Sequence, residues 1–381
     1  VLLLLSVSAV AAAEFGVCNP SLTAQELVKQ RGYSLKGKVV AMTGGDSGIG
    51  YGAALGIAQA GAKLIMLAYD SEGAKSAAKN ITELTGNDDI TVLDGFDLSS
   101  LDNVREMAAK VSKLAPQLDV LVCDAGLDRE PDGHPLTKDG YEITFQVTFL
   151  GHFLLTELLL PNLRAAKGRV TNTGSVSVLG YNTSDGIYIP FNGTQCAFGG
   201  YNVGCTEVES LKKSLKEAGP VSPLGGRSNT MLGHIMKTFY ARELALREPT
   251  IGAFVAHPGL VATKSTVVVP GECAGFCGPN AIGLPALWGV CNTWSDADRT
   301  YDPSLCPLNK EQGGNSLAAL STAPLSDLTT LNGHMITACE AVDAPIDQFA
   351  ARELSHGYDA TIAFARELTA LWRNWTGLVV A

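Results

Sequence analysis

Short, unbroken apolar runs recur along the chain: Val39–Met42, Leu64–Leu67, Val120–Val122 and Ile251–Ala256. Runs of this length without polar interruption predict strands buried on both faces. Between them, Ser71–Thr85 and Leu101–Leu114 carry apolar residues at helical spacing, which predicts helices with one buried face. In order, the pattern predicts a lead-in helix over 24–30, strands at 38–42, 63–68, 90–96, 120–122, 168–175 and 251–256, and a last strand near 334–336. It also predicts helices over 48–60, 71–85, 101–114, 140–165, 231–247, 311–320 and 348–375. Strand–helix–strand order implies parallel strands joined by right-handed crossovers. The expected class is α/β: one doubly wound parallel sheet with helices on both faces.

Two segments break the pattern. Residues from about 176 to 229 are rich in Gly, Asn, Ser and Thr. They still hold one helix, opened by a Thr206/Glu209 capping box, carrying Val208, Leu211 and Leu215 on one face and closed by Gly219-Pro220. That face needs a covering surface, either the domain itself or a protein partner. Residues from about 267 to 308 hold Cys273, Cys277, Cys291, Cys306, Trp288 and Trp294. The expected organisation is therefore a 1–13 apolar segment, a 14–35 lead-in and one domain over 36–381 with these two insertions.

Val1–Val10 followed by Ala11-Ala12-Ala13 looks like the apolar core and small-residue cleavage site of a secretory signal, with a clipped membrane anchor as the alternative. As written the run falls short of the roughly 20 apolar residues a spanning helix needs. Sequons at Asn80, Asn182, Asn192 and Asn374 and a total of nine cysteines agree with a secretory route. The expectation is a glycosylated, disulfide-bearing chain, with Cys196 and Cys205 a candidate pair. A zinc ribbon would show two tight Cys pairs and only Cys273/Cys277 is tight, so no metal is expected. Net charge is −10 and no Lys/Arg run is present, which argues against a nucleic-acid partner.

The first strand runs into Thr43-Gly44-Gly45-Asp46-Ser47-Gly48-Ile49-Gly50 and then a helix. Glycines there let a backbone approach a pyrophosphate while free N–H groups and the helix dipole face it. The T-G-x-x-x-G-x-G spacing resembles the short-chain dehydrogenase/reductase family, a Rossmann-type fold. Further on, Val147–Thr156 resembles the V-N-H-L-G-H-F-L-L-T segment of the retinol-dehydrogenase-like branch, Ala241–Arg247 its T-R-E-L-A-R-R, and His257–Thr263 its H-P-G-x-V-x-T.

This resemblance implies a nicotinamide dinucleotide held by Thr43, Gly44, Asp46, Ser47, Gly48, Ile49 and Gly50. It adds Asp97 and Leu98 at the adenine, Ala125 and Gly126 after the fourth strand, and Pro258, Gly259 and Thr263 at the nicotinamide end. Asp70 stands where similar proteins most often carry Arg and use NADP. A carboxylate accepts from ribose hydroxyls and repels a 2′-phosphate, so NAD(H) is favoured over NADP(H). Asp70 also suits a helix cap. The family's N-N-A-G reads Cys123-Asp124-Ala125-Gly126 here.

The same resemblance implies a catalytic Ser, Tyr, Lys and Asn. Ser175 matches the serine. The asparagine falls on Thr148 and, counting back from the Ala241–Arg247 anchor, the Y-x-x-x-K falls on Thr230 and His234. His234 would then face the cofactor ribose, or titrate near neutrality and act as acid/base with Ser175 as orienter. Tyr188, thirteen residues after Ser175, is the alternative proton donor, ahead of Tyr181 and Tyr201. A register using Lys237 would break the anchor. His152 matches the family but reads as packed core, and Cys123 as an inert buried thiol.

Three readings follow. The first is an NAD(H)-binding protein without the standard hydride chemistry, acting as a sensor, scaffold or assembly subunit. The second is an active alcohol/carbonyl oxidoreductase with a rebuilt acid/base group. The third is a secreted interaction protein that keeps only the fold.

Overall fold

The computed structural model describes residues 22–127, 136–175, 196–198, 201–203, 226–258, 261, 309–337, 340–341 and 358–378. The expected signal-like segment, the Thr206–Gly219 helix and the cysteine-bearing segment 267–308 lie outside the described residues, as do the sequons at Asn182 and Asn192.

Strands β1 (Val39–Thr43), β2 (Lys63–Ala68), β3 (Ile90–Asp94), β4 (Val120–Cys123) and β5 (Arg169–Thr173) form one parallel sheet with β8 (Gly252–His257) and β9 (Met335–Thr337). The order is β3-β2-β1-β4-β5-β8-β9, and a two-residue strand β10 (Glu340–Ala341) pairs antiparallel at the β9 edge. A small hairpin of β6 (Cys196–Phe198) and β7 (Tyr201–Val203) stands apart, in a segment where the sequence pattern predicts no strand.

Both faces of the sheet are covered. Ala41, Ile65, Leu121, Cys123, Val170, Ala253 and Val255 point into one core, while Val40, Met42, Leu64, Met66, Val120, Val122, Phe254 and Ala256 point into the other. That alternation is why the strands read as continuous apolar runs. The second core is closed by α1 (Ala24–Arg31), α2 (Gly48–Gln59), α7 (Lys310–Gly313) and α8 (Asn315–Thr322). The first is closed by α4 (Leu101–Leu114), α5 (Ile143–Ala166), α6 (Gly226–Arg247) and α9 (Tyr358–Trp375). α3 (Ser71–Thr85) lies between β2 and β3.

Several bounds differ from the sequence pattern for local reasons. β3 stops at Asp94 because Gly95 takes φ +72°. α5 starts at Ile143 rather than at 140, since the Glu142 carboxylate accepts from the Thr144 and Phe145 N–H groups and caps it. Its turn over Gln146–Leu150 is π-helical, and Gly151–Ala166 continues as α-helix. A single helix over 311–320 becomes α7 and α8, divided at Gly314, where a Cβ would strike the Gly52–Ala53 backbone of α2. α9 is described from Tyr358, short of the expected start at 348.

By length and composition α5 could cross a membrane, but 78% of its apolar window is buried inside the fold. Phe149 and Phe153 pack edge-on against Trp372 of α9. It is a core helix.

Candidate functional site

A cleft of about 600 Å³ opens along the carboxyl ends of the central strands, where open α/β sheets bind ligands. Its floor is the turn from β1 into α2. Gly44 sits at φ +71° and Gly48 at φ +53°. A Cβ on Gly44 would lie 2.8 Å from the Ala125 nitrogen, and one on Gly50 would overlap the Gly44 carbonyl and the Asp124 carboxylate. Only glycine fits either place. Ser47, the residue before α2, is extended and makes no side-chain cap. The amides of Gly48 and Ile49, both lining the cleft, are thus left to it, with the helix dipole behind them. Gly44, Asp46, Ser47, Gly48 and Ile49 line the cleft, while Gly50 lies buried beneath it.

Thr43 has a different place from the one expected. It is fully buried and does not line the cleft. Its Oγ1 accepts from the Asp124 and Ala125 N–H groups, each at 3.1 Å, and meets His152 Nε2 at 2.8 Å. It ties the glycine turn to the end of β4.

Asp124 ties the same turn from the other side. Its carboxylate accepts from the Gly50 N–H and from the Thr173 hydroxyl on β5. Burial pushes its pKa up to about 6, against the pull of the Thr173 hydrogen bond and the Lys237 charge.

At the far end of the cleft stand Tyr69, Asp70, Phe96, Asp97, Leu98 and Ser99. Asp70 both lines the cleft and caps α3, accepting from the Glu72 N–H at 3.1 Å. Asp97 accepts from the Ser99 N–H and hydroxyl at 2.8 and 2.6 Å. Burial and the neighbouring Asp70 raise the pKa of Asp46. Among the described residues lining the cleft there is no Lys or Arg; the charged side chains are Asp46, Asp70, Asp97 and Asp124.

At the near end stand Ala125, Gly126, Thr148, Thr173, Gly174, Ser175, His234, His257 and Pro258. Thr148 sits in the π-helical turn, and its Oγ1 accepts from the Leu127 N–H at 3.4 Å. Helix α6 reaches this turn because residue 233 is glycine: a Cβ there would come within 3.0 Å of Thr148. His234, one residue on, faces the cleft and hydrogen-bonds the Thr173 carbonyl, while its Nδ1 is buried with no hydrogen-bond partner. Burial and the Lys237 charge push its pKa down to about 3. That overturns the expectation that His234 titrates near neutrality. At pH 7 it is a neutral imidazole. His257 is likewise pushed down to about 4 by burial.

Thr230 lies one helical turn before His234 on α6, and its side chain is outside what is described. Tyr188, Tyr181, Gly259 and Thr263 also lie outside the described residues, and of Tyr201 only the backbone is described. No tyrosine among the described residues lining the cleft stands at the Ser175 end.

The residue that pattern reading missed is Lys237. It is 2% exposed and does not line the cleft. Its Nζ donates to the Thr173 carbonyl at 3.0 Å and to the Cys123 carbonyl at 3.4 Å. The available signal was spacing: Lys237 is three residues after His234 and shares its helix face. Cys123 beside it is buried and its thiol is pushed up to about 12, so it is inert as expected.

The family model for short chain dehydrogenases matches residues 38–188. Among curated proteins, human retinol dehydrogenase 13 is 41% identical over 145 residues, covering 38% of this chain and 43% of that protein. Human dehydrogenase/reductase SDR family member 13 is 33% identical over 234 residues, 61% of this chain and 53% of that protein. The chain thus spans about half or less of the curated relatives it matches. A solved structure of an uncharacterized Mycobacterium paratuberculosis protein superposes over 91% of this chain and 95% of its own, with a TM-score of 0.54 at 19% identity. That likeness is one of fold.

Proposed function

We propose that this chain, which belongs to the short-chain dehydrogenase/reductase family and is retinol-dehydrogenase-like in sequence, binds NAD(H) in the cleft without the family's standard Ser–Tyr–Lys proton transfer. It would then act as a sensor, scaffold or assembly subunit. One observation carries the reading. The glycine turn is intact, whereas the described wall beside Ser175 offers only a neutral His234 in place of a cation.

The turn suits a dinucleotide because glycine at 44 and 50 lets it close tightly on Asp124 and Ala125, leaving Gly44–Ile49 along the cleft. Gly44–Ile49 and the α2 amides would hold the pyrophosphate, Asp70 and Asp97 the adenosine end, and Gly126, Ser175 and Pro258 the nicotinamide end. The bound dinucleotide would supply a hydride donor or acceptor. What this chain's residues add is holding: Ser175 can orient an oxygen, while the His234 ring is itself held on the Thr173 carbonyl. A base with a pKa of about 3 holds almost no proton at neutral pH, so it is a poor acid for alkoxide protonation. Four carboxylates along the cleft, with no Lys or Arg among its described lining residues, support NAD(H) over NADP(H).

The test is calorimetric titration with NADH and NADPH, followed by turnover over a panel of alcohols and carbonyl compounds. Tight NADH binding with negligible turnover is expected. Robust turnover would return the active-oxidoreductase reading, and absence of any nucleotide binding would leave a fold used for interaction alone.

A further inference from the structure

Two charged groups meet at one residue, Lys237 fully buried and Asp124 half-buried at the cleft wall. Thr173 gives its hydroxyl hydrogen to the Asp124 carboxylate, and its carbonyl accepts from Lys237 Nζ at 3.0 Å. Asp124 then accepts from the Gly50 N–H at the start of α2. Lys237, from α6, also holds the Cys123 carbonyl at the end of β4. One set of contacts thus spans α6, β5, β4 and the glycine turn.

We propose that Lys237 is a positioning residue: its ammonium compensates the half-buried Asp124 carboxylate, and through Asp124 it fixes the glycine turn that receives the nucleotide. The physical reason is that a buried ammonium alone is costly, while one set near a carboxylate that also accepts from the Thr173 hydroxyl and the Gly50 N–H is tolerated. An asparagine at 124 would need no cation, so the departure from the N-N-A-G pattern and the buried lysine explain each other. Lys237 is fully enclosed and touches neither the cleft nor solvent, so it acts through Asp124. This deepens the nucleotide-binding reading and rests on it only for the ligand arm of the test.

The groups facing the pair are Asp46 from the glycine turn, Cys123 from β4, His152 from α5 and His234 from α6 itself. Both histidines have pKa values pushed down by burial and Lys237, and the Cys123 thiol is pushed up, so all three stay neutral around pH 7. Asp46 is the one further carboxylate acting on Asp124, and it raises the Asp124 pKa. Removing the lysine charge raises the Asp124 pKa further, so its carboxylate is protonated nearer neutrality and recovers as pH rises. In the parent, burial lowers the Lys237 pKa to about 8, so its charge is present at pH 7 and is lost over the same rise, and the two proteins converge toward pH 9.

The experiment compares the full chain with Lys237→Met, Asp124→Asn and the double variant, reading amide hydrogen exchange of residues 44–50 and NADH affinity from pH 6 to 9. In Lys237→Met, exchange at 44–50 should quicken by about tenfold at pH 7, the loss of one charge-assisted hydrogen bond. Exchange in β2 should stay as in the parent, and the loss should fade toward pH 9. The double variant should return to within about threefold of the parent, a coupling two independent sites do not show. NADH affinity should follow the same order. Equal exchange in parent and Lys237→Met, a loss that does not fade with pH, or a double variant no better than the worse single overturns the proposal. Should Lys237→Met not fold, Asp124→Asn against the double variant decides it: no recovery overturns it. Because exchange is read without ligand, an absence of NADH binding would sink the function reading and leave this one standing.

Discussion

Thr43 Oγ1 and His152 Nε2 stand 2.8 Å apart in the core, and the direction of that hydrogen bond is fixed by counting. The hydroxyl already accepts from two backbone N–H groups, of Asp124 and Ala125. It must therefore donate to Nε2, which puts the ring hydrogen on Nδ1, where it is given to the Thr148 carbonyl at 3.1 Å. Burial and the Lys237 charge hold the pKa of His152 well below its ordinary value, so the neutral tautomer persists. A single buried chain of bonds thus joins the glycine turn, the end of β4 and the π-helical turn of α5.

Thr43→Val keeps the shape and removes all three bonds. Leaving buried groups unpaired should cost about 2–4 kcal/mol of stability, read as a lower urea midpoint. A residue that only touched a ligand would lose affinity and keep its stability.

Gly50→Ala drives a methyl into the Gly44 carbonyl and the Asp124 carboxylate. NADH affinity should fall by about tenfold or more, on the order of 1.4 kcal/mol, with the far side of the sheet unaltered in hydrogen exchange. Unchanged affinity would remove the glycine turn from the binding site.

Asp70→Arg replaces a carboxylate at the adenosine end with a guanidinium. The ratio of NADPH to NADH affinity should rise by about tenfold, a gain expected of one new ion pair with a 2′-phosphate. Parallel titrations with the two cofactors measure it.

Acid should destabilise the fold. His234 and His257 drop from 6.5 to about 3 and about 4 on folding, so the unfolded chain takes up protons first. Their contribution is present above pH 6.5 and is lost as pH falls toward the folded values. Asp124, raised from 3.8 to about 6, works the other way between those values, but one carboxylate is outweighed by two histidines. Urea midpoints should be lower at pH 5 than at pH 7.5, and His257→Gln should flatten the dependence.

Much of this architecture is written in the sequence, and the reasons are local. Val39–Thr43 and Lys63–Ala68 are buried on both faces, so their apolar runs leave no other reading. The glycine spacing of 44–50 reflects positive φ and overlap at particular places, which only glycine relieves. The π-helical turn at Gln146–Leu150 is invisible in the pattern, because one extra residue in a turn leaves an almost wholly apolar helix just as apolar. Lys237 escaped for a related reason. A lysine on a helix is usually solvated, and only the strand-end carbonyls and a carboxylate, distant in sequence, make its burial affordable.

The central claim is that this cleft keeps the nucleotide while the standard proton transfer is absent. Titrating the protein with NADH and then following the absorbance of the bound reduced cofactor, as aldehydes and ketones are added, tests both halves at once. Saturable binding with no consumption of NADH is the predicted result. Steady oxidation of NADH with a carbonyl substrate would contradict it.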